Sequence, residues 1–139
     1  MTMALDQGLL DRRFAATPPY VVTHERVAAF AQATGGAYAP GDPVPATFPI
    51  VLAFAAMNAF LDEVGVELSR IVHGEQRFAY ERPIVPGEEL RATLSVASLR
   101  QIGGNDIIGT LSEVTDPDGA VVCTAKATLV HRGAPEGEQ

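Results

Sequence analysis

Residues 48–61 read FPIVLAFAAMNAFL, and Asn58 is the only polar side chain between Ile50 and Leu61. A stretch this short falls below the roughly 20 apolar residues that a bilayer-spanning helix needs. It reads instead as a helix buried in a protein core. A helix that is apolar around its whole circumference must be wrapped by other elements. With 139 residues the chain is expected to form one domain, large enough to bury about 68–70% of its unfolded surface.

The second half of the chain supplies a wrapping layer. The apolar period changes there from about 3.6 to 2, the repeat of a strand with one buried face. HGEQRFAYERP sets Gln76, Phe78 and Tyr80 on one side and Glu75, Arg77 and Glu81 on the other. Residues 90–99 alternate with Leu90, Ala92, Leu94 and Val96 inward. Gly103-Gly104-Asn105 predicts a turn before a strand over 106–115. Asp116-Pro117-Asp118-Gly119 predicts a hairpin leading into a strand over 120–131, with Val121, Cys123, Ala125, Ala127 and Leu129 on one face.

Upstream, Tyr20-Val21-Val22 reads as a short strand. Thr23 is a suitable N-cap for a helix from His24 to about Thr34, stopped by Gly35-Gly36. The central helix is expected to start near Thr47, with Pro49 in its first turn, and to end at Gly65. One short helix, one deep helix and an antiparallel sheet predict an α+β fold with the sheet curled around the central helix. The hot-dog fold and the cone-shaped α+β barrel both fit this order. A single deep helix favours the hot dog.

A net charge of −7 argues against nucleic acid or an anionic membrane as a partner. The lone Cys123 excludes an intramolecular disulfide. MTMALDQGLLDRRF lacks the basic start and apolar stretch of a signal peptide, so a cytoplasmic location is expected. No Cys/His cluster points to zinc, and Gly103-Gly104 lies in a hairpin and not after a strand that opens a helix. Neither metal nor cofactor is therefore expected.

VTHERVAAFAQATG, VPATFPIVLAFAA, HGEQRFAYERPIVPGEELRATLSV and GGNDIIGTLSEVTDPDGAVVCTAKATLVHRG together resemble the N-terminal-type domain of MaoC-like dehydratases. The resemblance covers about residues 18–133, leaving 1–17 as an N-terminal extension and 134–139 as a flexible tail. It implies a hot-dog fold acting on acyl thioesters of coenzyme A or acyl carrier protein. Active members of the family hydrate trans-2-enoyl thioesters or dehydrate the (R)-3-hydroxyacyl form. They carry Asp-x-Asn-Pro-x-His between the two helices, an acid–base pair placed around one water. Here that loop reads TGGAYAPGDPVP. Thr34-Gly35 matches the start of the motif, Gly36 stands where the aspartate belongs, and no histidine follows. The resemblance thus implies a non-catalytic half that pairs with a catalytic MaoC-like subunit or with itself.

On this reading Thr47, Phe48, Phe54, Met57, Asn58 and His73 are the expected substrate-binding residues, and no catalytic residue is assigned. Thr47 opens the central helix, where free N–H groups can polarise a carbonyl or simply be capped. Phe48, Phe54 and Met57 are expected along an acyl channel. Asn58 is a buried amide that must find partners. His73 either faces the thioester or bonds to the backbone at a strand entry. Asp42 sits in a turn sequence, His24 and His131 read as surface residues, and Cys123 as core. Arg70 and Arg77 either meet carrier phosphates or form a solvated face. Two rivals stay open: a stand-alone enzyme using His73 with Asp42 or Glu75 (or an acyl-thioesterase), and an acyl-binding homodimer.

Overall fold

The computed structural model describes residues 7–132. Five strands form one antiparallel sheet: β1 (Tyr20–Val21), β2 (Ile71–Tyr80), β3 (Glu89–Ile102), β4 (Asn105–Thr115) and β5 (Val121–His131). Their spatial order is β1-β3-β4-β5-β2. Helix α1 spans His24–Ala33 and α2 spans Ile50–Val64. Short 3-10 turns at Gln7–Leu9 and Leu68–Arg70 complete the chain.

Local chemistry accounts for most of the boundaries. Thr23 Oγ1 accepts the Arg26 N–H at 3.0 Å and caps α1. The β3–β4 hairpin turns on Gly103 and Gly104, both at positive φ (60° and 82°), the backbone that a two-residue turn between twisted strands requires. At the next hairpin, Asp116 Oδ1 accepts the Asp118 and Ala120 N–H groups. Helix α2 ends at Gly65 with φ 75°. Its start differs from the expectation. Residues 46–49 form a turn, Pro49 is the N-cap without a side-chain cap bond, and the first helical residue is Ile50. The Thr47 and Phe48 carbonyls accept the Ile50 and Val51 N–H groups, so residues 47–49 close tight three-residue turns, and a four-residue helical bond from the Ala53 N–H reaches the Pro49 carbonyl.

The concave face of the sheet packs on α2. Leu90, Ala92, Leu94 and Val96 of β3 meet Ile108 and Val114 of β4 and Cys123 and Leu129 of β5 in one buried cluster. From the helix, Leu52, Ala56, Met57, Phe60 and Leu61 join it. Phe14 stacks edge-on against Phe60 at 4.9 Å.

The segment expected to precede the domain is woven into it. Phe14 and Thr17 donate backbone N–H groups to Leu94 and Ala92 carbonyls of β3, each at 2.9 Å. Bridges Leu10–Val96 and Arg13–Ser95 continue this pairing. The free edge of β3 is therefore covered by the chain's own N-terminal segment and β1. Among the described residues, no strand pairs with the opposite edge, β2. The tail expected over 134–139 lies outside the described residues.

Burial departs from the sequence reading at two places. Helix α2 is not wrapped all round: Phe54 is 44% exposed, and Ala55 and Ala59 are exposed beside it. The sheet closes over one side of the helix and leaves a stripe from Phe54 and Ala55 through Ala59 to Asp62 and Glu63 exposed. His131, expected at the surface, is 5% exposed and bonds through Nδ1 to Asp106 Oδ2 at 3.0 Å. Its place at the inward end of β5, opposite Ile71 and Asp106, turns it into the core.

Candidate functional site beside the central helix

The open flank of α2 faces the inner side of the sheet near β2. Ile50, Ala53, Phe54 and Met57 form the helix side of a narrow cleft. Thr110 and Ser112 of β4, with Ala125 and Ala127 of β5, form its floor. His73 and Gln76 of β2 stand on its third side. The two floor hydroxyls are buried, so a chain dominated by apolar packing places polar groups under this cleft. The interior space is about 10 Å³, room for about one water. Any ligand larger than a water has to displace Phe54 and Met57 to enter, and methionine has the flexibility for that.

Of the residues expected to bind substrate, Phe54, Met57 and His73 come together at this cleft. Phe48 is fully buried and packs its ring against Phe30 at 5.4 Å and Tyr20 at 6.2 Å, under α1. Thr47 is exposed in the turn before α2, where its carbonyl accepts the Ile50 N–H. Asn58 is half-buried, one turn beyond Phe54 on the same helix face. Three contributors were not singled out from sequence: Gln76, Thr110 and Ser112. Gln76 was legible as an inward strand residue, but the hydroxyl floor depended on which β4 residues lie below α2.

The loop over residues 35–49 is held from three sides. Tyr38 is hydrogen-bonded to His24 Nδ1 at 2.7 Å, with the two rings stacked. The Asp42 carboxylate accepts the Ala39 N–H at 2.9 Å, closing a local turn. Tyr80 donates its hydroxyl hydrogen to the Ala46 carbonyl at 2.5 Å. Burial, and secondarily Cys123, push the Tyr80 phenol up to about 12, so it stays a donor at neutral pH. The loop's one acid is spent on its own turn, and the nearest ring nitrogen is committed to Tyr38.

The other candidates take structural roles. Arg70 donates from Nε and Nη2 to the Arg132 carbonyl at 3.1 and 2.8 Å. Arg77 pairs with Glu75 at 2.6 Å on the outer sheet face. Cys123 is buried, which raises its thiol pKa and keeps it protonated. Among the described residues, no three His, Cys, Asp or Glu side chains gather as metal ligands. No helix among them is long and apolar enough to cross a membrane.

A sheet curled on one long helix defines a hot-dog domain of MaoC-like dehydratase type. The chain belongs to the family described as FAS1-like, dehydratase domain region, whose model matches residues 11–125. It is 38% identical to a UPF0336 protein of Saccharopolyspora erythraea, over 98% of this chain and 99% of that one. Among solved structures it is similar to the C-terminally truncated HadBC (3R-hydroxyacyl-ACP dehydratase) complex of Mycobacterium tuberculosis. That match has a TM-score of 0.79 and 26% identity, over 92% of this chain and 99% of the other. A MaoC-like dehydratase matches with a TM-score of 0.73 and 27% identity, over 92% of this chain but 43% of its own length.

Proposed function

We propose that the chain is the substrate-binding, non-catalytic half of a heteromeric (R)-3-hydroxyacyl-thioester dehydratase. The observation that carries this reading is the loop before α2. Hydration of an enoyl thioester needs one group to take a proton from water and another to deliver one to the α-carbon. Gly36 stands where the first group belongs, Asp42 closes a turn, and no histidine lies between residues 35 and 49. In this reading the partner supplies Asp and His, and this chain supplies the wall formed by Phe54, Met57 and His73.

The open β2 edge supports a second hot-dog domain as partner. A ten-residue strand with unpaired backbone groups invites another strand. Phe54 and Val72 flank that edge and are 44% and 48% exposed. Similarity to one chain of the HadBC complex points the same way. The same edge allows self-pairing when no catalytic partner is present. Coexpression with a catalytic MaoC-like chain tests the assembly: the reading expects a one-to-one complex by native mass spectrometry. Exclusive self-association in the presence of that chain would contradict it.

A further inference from the structure

His73 and Gln76 lie three residues apart on β2, and strict strand alternation would turn them to opposite faces. The register shift between His73 and Glu75 changes this by bringing both side chains to the cleft. There His73 Nε2 lies 3.0 Å from Gln76 Oε1. The other end of the Gln76 amide, Nε2, donates to the Lys126 carbonyl at 3.2 Å and lies 3.5 Å from that of Arg77. Backbone carbonyls only accept, so they require the NH2 end of the amide on their side. The amide oxygen is thereby fixed on His73. An acceptor facing Nε2 requires that nitrogen to carry the hydrogen. In a neutral imidazole the other nitrogen then keeps the lone pair. Among the described residues, His73 Nδ1 has no partner.

We infer that Gln76 locks His73 in the Nε2–H form, and that His73 Nδ1 is a hydrogen-bond acceptor for an amide N–H of the thioester's carrier arm. The inference rests on the thioester reading above and narrows it. A neutral acceptor matches neither a phosphate nor a thioester carbonyl, because both of those are acceptors themselves. What it matches is a donor. The pantetheine arm common to coenzyme A and acyl carrier protein offers secondary amide N–H groups a short way from the sulfur. His73 is then a positioning residue at the cleft mouth: it sets how far the arm enters and leaves the proton transfers to other groups.

The test uses the full chain labelled with 15N-histidine and methyl-13C-methionine, observed by long-range proton–nitrogen and methyl NMR near neutral pH. A His73→Gln variant assigns the signals. The expected pattern is a protonated-type shift at Nε2 and an unprotonated-type shift at Nδ1. Gln76→Ala is expected to collapse it towards a tautomer mixture. Crotonyl-pantetheine and the amide-free S-ethyl thiocrotonate are then titrated in. Only the first is expected to move the Nδ1 signal, and Gln76→Ala is expected to weaken its binding about three- to tenfold, the scale of one net hydrogen bond. A hydrogen on Nδ1 in the free protein, or equal responses to both thioesters, overturns the inference. Should crotonyl-pantetheine perturb Met57 and leave His73 silent, this inference falls while the thioester reading stands. Should no thioester bind, with or without a catalytic partner, both fall.

Discussion

At the scale of single residues, two side chains tie loops to the ends of the strands, and each makes a pH-dependent prediction. Glu88 accepts from Arg82 at 2.8 and 3.1 Å and from the Val85 N–H at 2.6 Å, joining the end of β2 to the start of β3. Burial pushes its carboxyl upward, but these hydrogen bonds and the Arg82 charge outweigh that and hold it below the usual glutamate value. The stabilisation is therefore present above the unfolded-state value and is lost as pH falls through the folded one. Glu88→Gln is expected to lower Tm at neutral pH, with the gap to wild type closing in acid. Thermal melts across pH check this. Tyr80 gives the opposite limb. Its phenol ionises near 10 when unfolded and at about 12 when folded, so its contribution is complete below pH 10 and fades above it. Tyr80→Phe is expected to cost about 0.5–1.5 kcal/mol at neutral pH and to remove that alkaline loss, as read by urea titration. Residue roles were the least legible part of the sequence. Thr47 resembled a helix cap, but its carbonyl closes a tight turn with the Ile50 N–H and the helix starts three residues later. His131 looked exposed because its partner, Asp106, lies 25 residues away and meets it only through strand register.

At the scale of elements, the sequence was far more informative. The switch from helical to strand period marked both helices and all four long strands to within a few residues; β3, β4 and β5 carry a buried face, whereas β2 has no buried residue and was marked by its alternation alone. It missed that α2 leaves a flank uncovered, since the wrap depends on how far the sheet curls. Phe60 lies on the covered side, fully buried against Phe14. Phe60→Ala is expected to destabilise by about 3–5 kcal/mol, measured by denaturant unfolding. Phe54 lies on the uncovered side and carries the opposite expectation. Joint substitution of Phe54→Lys and Val72→Lys is expected to leave the circular dichroism spectrum intact and to yield monomers in sedimentation analysis. An unchanged oligomer would show that the β2 flank is not the contact.

At the scale of the molecule, one edge of the sheet is closed by the chain's own N-terminal segment and the other is left open. A narrow cleft with a hydroxyl floor lies beside the open edge, under the exposed Phe54. The fold was legible because its layers follow from periodicity. The candidate site was less legible: the absence of histidine from residues 35–49 can be read in the sequence, but the pairing of His73 with Gln76 needs the bulge after His73. On the function proposed above, this chain shapes and binds while a partner performs the proton transfers. Hydration of crotonyl-CoA, followed by loss of the conjugated enoyl absorbance, tests that division of labour. No turnover is expected from the purified chain, and turnover above that of the catalytic MaoC-like subunit alone is expected once the two are assembled. Enzyme-like turnover by this chain alone would contradict it.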